Sequence, residues 1–136
     1  MATPDTKRRK TKGAFFRKFA YAFRGIGAAL KEETSLVVHF ICTAVVFILG
    51  GILHNGMHYY DWIILVVCMF VLMAGELINT AIENLTDMVS FKFSYNAKKI
   101  KVVAAAAMLI LSIMSIIVSL MVLIRALLVV LGVASL

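Results

Sequence analysis

Apolar residues in this chain come in three long blocks, each set off by shorter polar stretches. Leu36 to about Leu53, Trp62 to about Ile82 and Val102 to about Ile124 are each near the ~20 residues a helix needs to cross a bilayer. Three transmembrane helices are therefore expected. Residues 14–33 read differently: aromatic and aliphatic side chains alternate with Arg17, Lys18, Arg24 and Lys31. That mixture predicts a surface helix lying at the headgroup boundary with its apolar side down. Residues 1–13 are polar and basic and hold the only proline, so a disordered tail is expected there. His54 to Asp61 makes a short turn without Lys or Arg, with Asn55-Gly56 as turn signal and Tyr59, Tyr60 and Trp62 as interfacial aromatics. Residues 126–136 form an apolar extension too short to cross again. The fold class that follows is an all-α membrane protein, an N-terminal interfacial amphipathic helix plus three transmembrane helices.

Composition agrees with this pattern. The chain is 62% hydrophobic with a mean hydropathy of +0.98, well above the roughly half-apolar make-up of soluble domains. The net charge of +7 would suggest nucleic acid in a soluble protein, but the placement of the basic residues argues otherwise. Nine of the fourteen lie in residues 1–31, four (Lys92, Lys98, Lys99, Lys101) lie in the 84–101 connection, and the last is Arg125. Such asymmetry sets topology and draws anionic headgroups. The N-terminus and the 84–101 connection are expected on the cytoplasmic side of a cell membrane, with the 54–61 turn outside and no nucleic-acid partner. Cys42 and Cys68 sit inside apolar runs and read as small hydrophobes. No signal peptide is expected, so the first span should remain in place.

One polar stripe interrupts the second block. Glu76, Thr80, Glu83 and Asp87 share a helical face, with Asn79 on its flank. A carboxylate near the centre of a membrane span costs at least ~2.5 kcal/mol, so such residues usually mark function. Counting from Trp62 at 1.5 Å per residue, Glu76 lies about 21 Å in and Glu83 about 31 Å in, near the inner boundary. Glu33 immediately precedes the first span and Lys101 immediately precedes the third, both on that side. Glu33, Glu76, Asn79, Glu83, Asp87 and Lys101 are expected to gather at one depth. Mg²⁺ takes oxygen ligands, commonly one or two carboxylates with substrate phosphates; Glu33 and Glu83 suit it. A lysine stabilises a transferring phosphoryl group, and Glu76 is the candidate general base for a lipid hydroxyl.

The segment GELINTAIENLTD (75–87) resembles the signature of the small bacterial integral-membrane lipid kinases, the diacylglycerol kinase and undecaprenol kinase family. The pattern Glu-x-x-Asn-[Ser/Thr]-Ala-Ile-Glu-x-x-x-Asp is filled by Glu76, Asn79, Thr80, Ala81, Ile82, Glu83 and Asp87. Upstream, Glu32-Glu33 to His39 resembles the family's first-span element and aligns Glu33 with its metal-binding glutamate. Downstream, Ala97 to Ala107 resembles its Ala-Lys-Asp element and aligns Lys101 with its phosphate-contacting lysine. The resemblance implies Glu76 as general base with Asn79 beside it, and Glu33 and Glu83 holding Mg²⁺ against the phosphates of ATP. Glu83, Asp87 and Lys101 would face the nucleotide. It also implies a homotrimer with active sites shared between chains, embedded in membrane lipids, and a lipid alcohol (undecaprenol or diacylglycerol) as acceptor.

The chain departs from that pattern in three places: Val102 stands where the family has an aspartate, Val37 where it has an arginine, and Leu36 where it has a phenylalanine. A non-catalytic scaffold with a weakened nucleotide site is therefore an alternative reading, and a small cation-coupled transporter is another. The absence of a repeat, and a second span polar only at its inner end, speak against transport. Singly, each residue has a plainer reading as well. The Glu76, Asn79 and Glu83 set would serve as a polar interhelical contact, Glu33 as a solvated flank, Lys101 as an interfacial anchor, and Asp87 as a solvated acid. His39 could contribute a hydrogen bond to the site, though a satisfied interhelical histidine is the preferred reading, and Arg125 is expected to reach the outer headgroups.

Overall fold

The computed structural model describes residues 13–89 and 95–133. Four helices follow in chain order: α1 Gly13–Glu32, α2 Thr34–Ile52, α3 Tyr59–Val89 and α4 Tyr95–Val130, with a 3-10 turn at His54–Gly56. No strand occurs among the described residues. The tail expected at the N-terminus lies outside the described residues up to residue 12, and Gly13 already opens α1. Helices α2, α3 and α4 are each long and apolar enough to cross a membrane. The protein is an all-α membrane protein.

α1 carries Phe16, Phe19, Phe23, Ile26 and Leu30 at steps of three and four residues, all exposed. These positions make one apolar face, as an interfacial helix requires. A single residue separates α1 from α2. Glu33 takes an extended conformation (φ −113°, ψ 109°) as the N-cap of α2, while its N–H still donates to the Ala29 carbonyl at 2.9 Å. The chain turns its corner there with the Glu33 amide still bonded into α1, and Leu36, 2% exposed, anchors the new direction.

One end of the bundle closes through the turn at His54–Gly56. Asp61, in the first turn of α3, accepts a hydrogen bond from the His58 N–H at 2.7 Å. This is the reciprocal half of a capping box, in which a third-position acid reaches back to the N-cap amide. The same oxygen accepts from the Arg125 guanidinium of α4 at 2.8 Å. Arg125 therefore pairs with a buried acid, and the expectation that it extends to outer headgroups is corrected. Gly56 packs against the Ala126 carbonyl so closely that a Cβ there would overlap it. Met57, Leu65, Val122 and Ala126 form the buried core beneath, flanked by Val46, Phe47, Leu53 and Trp62.

Towards the other end α3 and α4, the most extensively packed pair, approach at Gly75. A Cβ on Gly75 would stand 2.6 Å from Leu111 Cδ1 and 2.9 Å from Met108 Sδ. Small residues at such crossings let membrane helices come close. Elsewhere the large apolar side chains face outward: Phe40, Ile41, Val45, Ile48 and Ile52 of α2 are all exposed, as hydrocarbon surroundings allow.

Candidate active site

The polar stripe lies on uninterrupted helix. α3 runs through Val89, so Glu76, Asn79, Glu83 and Asp87 all keep helical spacing, and the segment read as a connection from residue 84 begins as more of α3. Eleven residues separate Glu76 from Asp87, which at 1.5 Å per residue is about 16 Å along the axis. The four of the six residues that lie on α3 therefore do not share one depth, which corrects that part of the expectation. They climb along the helix, with Asp87 nearest its C-terminal end.

At the deep end Glu76 is 3% exposed. Thr80 Oγ1 donates to the Glu76 backbone carbonyl at 3.0 Å, which ties the hydroxyl to its own helix. The carboxylate faces α2, where His39 Nδ1 stands 3.7 Å from Oε1. On its other side the imidazole meets α4, with Ser112 Oγ 3.2 Å from Nε2. The imidazole of His39 thus links one residue of α3 to one of α4. Beside it, towards the His54–Gly56 turn, a cavity of about 420 Å³ opens between the three helices, lined chiefly by apolar side chains with His39, Ser112, Ser115 and Ser119 among them.

Midway, Asn79 Nδ2 donates to Glu83 Oε1 at 3.0 Å. The sequence places Asn79 beside Glu76, but its four-residue step to Glu83 gives the better geometry. Its Oδ1 is buried without a hydrogen-bond partner. Thr86 Oγ1 bonds back to the carbonyls of Ile82 and Glu83 at 2.9 and 2.8 Å. At the C-terminal end of α3, Lys101 Nζ donates to Asp87 Oδ1 and Oδ2 at 2.9 and 3.1 Å. Asp87 acts most strongly on the lysine, with smaller electrostatic contributions from Glu83 and Glu33. Glu33 and Glu83 are both half-buried.

These donors fit a hard divalent cation brought in with phosphates. Glu33 makes no capping hydrogen bond, and Glu83 has one oxygen engaged by Asn79. Among the described residues no group of three or more His, Cys, Asp or Glu stands ready to hold a metal ion. Mg²⁺ seldom asks for an all-protein cage and takes one or two carboxylates with substrate phosphates. Sequence reasoning gives no role to two residues, Ser112 and Asp61. Ser112, Ser115 and Ser119 recur at steps of three and four in the otherwise apolar stretch 102–124 of α4, a legible signal of a polar face. Asp61 gives none beyond its place in a turn.

A family model described as prokaryotic diacylglycerol kinase matches residues 20–123, a stretch that contains all six candidate residues. Among curated proteins, undecaprenol kinase of Bacillus subtilis (strain 168) is 30% identical over 108 residues, covering 79% of this chain and 86% of that protein. No solved structure gives a significant match.

Proposed function

The chain belongs to the prokaryotic diacylglycerol kinase family and is a lipid kinase, and from that premise we propose that it moves the γ-phosphoryl group of ATP, with Mg²⁺, to the hydroxyl of a lipid alcohol at the inner face of the cell membrane. Glu76 accepts the hydroxyl proton as the lipid oxygen bonds to phosphorus and ADP leaves. A base at this depth meets a lipid hydroxyl that cannot reach the aqueous phase, which is why the acid stands in a span. The observation that carries the reading is Glu76 itself, a buried carboxylate inside a matching family motif.

Asn79 holds Glu83 in place, and Glu83 and Glu33 are the residues that would hold the metal. Mg²⁺, when bound, neutralises charge on the phosphate oxygens. Lys101 exchanges its bond to Asp87 for the nucleotide phosphates; the pair is exposed, and exposed ion pairs are weak enough to open. Undecaprenol is the preferred acceptor over diacylglycerol, because the curated relative bears that name. The N-terminus faces the cytoplasm, supported by the thirteen basic residues on that side against Arg125 alone near the outer end. The working unit is a homotrimer with shared sites, since three thin spans with so much outward apolar surface do not enclose a nucleotide alone.

Purified protein in mixed micelles, given radiolabelled ATP and a panel of lipid alcohols, tests activity and acceptor together. Label in undecaprenyl phosphate, lost when Mg²⁺ is chelated, is the expected result. Label in no lipid would overturn the reading.

A further inference from the structure

We propose that His39 is a positioning residue for Glu76: its imidazole, set by Ser112, holds the carboxylate toward the acceptor hydroxyl. The inference rests on the phosphoryl-transfer chemistry proposed above, and it adds a residue from α2 and one from α4 to a motif that lies wholly on α3.

Three observations point there. Glu76 is 3% exposed, and His39 Nδ1 stands 3.7 Å from its carboxylate oxygen Oε1. The Nδ1 atom of His39 is buried and has no hydrogen-bond partner, although it faces that carboxylate at 3.7 Å. The opposite nitrogen, Nε2, is engaged by Ser112 Oγ at 3.2 Å. A neutral imidazole carries one donor and one acceptor nitrogen. When the Ser112 hydroxyl donates to Nε2, the ring proton resides on Nδ1, and the hydrogen bond made by one nitrogen so decides the role of the other. The Nδ1 proton then points at Glu76. A separation of 3.7 Å exceeds hydrogen-bond range, but catalytic contacts in substrate-free proteins are commonly long and tighten in the Michaelis complex. A donor on the α2 side fixes the direction in which the buried carboxylate presents its oxygens. His39 is that donor.

The cavity that His39 and Ser112 line brings no Lys or Arg to the imidazole; Leu72, Cys68 and Met69 of α3, Cys42 and Thr43 of α2, and Ser115 of α4 complete it. A purely structural histidine, bridging helices for stability, is the rival reading, and the test is built to separate the two.

An asparagine amide nitrogen overlies Nδ1 of histidine and a glutamine amide nitrogen overlies Nε2, so the two substitutions keep opposite halves of the ring. His39→Leu should lower kcat about 100-fold, the size of loss that a misplaced catalytic group brings, with KM for ATP unchanged. His39→Asn should recover most of that loss, and His39→Gln should not. Normal kcat in His39→Leu, or equal rescue by Gln and Asn, overturns the proposal. So does a loss in all three variants that tracks thermal stability. A second measurement is independent of activity: in ¹⁵N-histidine spectra of the full-length protein, Glu76→Gln should move the His39 Nδ1 resonance and Ser112→Ala its Nε2 resonance. Unmoved resonances reject the positioning role even in an active enzyme. A wild-type protein that labels no lipid, with both resonances moving as expected, rejects the lipid-kinase reading and leaves the contact intact.

Discussion

Lys101 Nζ reaches both carboxylate oxygens of Asp87, at 2.9 and 3.1 Å, across the break between α3 and α4. The lysine side chain is 38% exposed and the aspartate 62%. An exposed pair contributes little to folding and is screened by salt. Its value lies in holding a cation ready where the nucleotide phosphates are proposed to arrive. Lys101→Met should therefore raise KM for ATP about tenfold or more, as loss of a charge-assisted contact does, with the thermal midpoint unmoved. A fall in thermal stability without a change in KM would make the lysine a structural clasp.

Glu76→Gln should lower turnover by about a hundredfold or more, the range for a lost general base. Glutamine keeps the size and removes the proton acceptor, so membrane insertion and ATP binding should be unchanged. Equilibrium binding of a fluorescent ATP analogue beside the turnover assay separates these outcomes. Full activity in the variant would exclude Glu76 as base.

Gly56→Ala should be among the most damaging small substitutions in the chain. The added Cβ meets the backbone carbonyl of Ala126, which cannot rotate away as a side chain does. Overpacking of this kind costs about 1–3 kcal/mol. Gly51→Ala makes the control, since nothing lies within 4 Å of the place its new methyl group would take. The denaturant midpoints of the two variants give the comparison; equal midpoints would mean that the turn yields.

Arg125→Met should destabilise more than Arg125→Lys. Asp61 is 7% exposed, and without the guanidinium its Oδ2 keeps only the His58 amide. Removing one member of a buried pair leaves an uncompensated charge. Lysine retains the charge and loses only the planar fork. Thermal unfolding in detergent, followed by circular dichroism, checks the order Met below Lys below wild type.

The three spans are legible because hydrocarbon thickness dictates the length of an apolar run, and Leu36–Leu53, Trp62–Ile82 and Val102–Ile124 meet it. Hydropathy marks where a helix enters the membrane and not where it starts, which explains the longer helices. α3 continues to Val89 because the polar motif after Ile82 is made of residues a helix accepts, and α4 begins at Tyr95 because Ala97, Lys98 and Lys99 are good helix formers. The site stripe is legible from angular spacing alone. So is its climb of about 1.5 Å per residue; spacing leaves open which side chains of α2 and α4 meet it. The His39–Ser112 and Asp61–Arg125 contacts join residues 73 and 64 positions apart. They depend on how each helix is rotated about its axis, which no run of residues records.

Val102 follows Lys101 and is 59% exposed where the resembling family carries an aspartate, and restoring that acid sets two effects in competition. A new carboxylate would add to the negative field that Asp87, Glu83 and Glu33 already place on Lys101 and so oppose an incoming triphosphate. It would also supply an acceptor for nucleotide hydroxyl or amino donors, and hydrogen bonds to a charged group contribute roughly 1.5–3 kcal/mol. The Coulomb term is weak at an exposed, screened position, so the hydrogen bond should win. Val102→Asp is expected to lower KM for ATP by about tenfold, at the low end of that range, with kcat unchanged and the gain preserved at high salt. A KM that rises, and rises less as salt is added, would mean that repulsion dominates and that residue 102 lies away from the nucleotide.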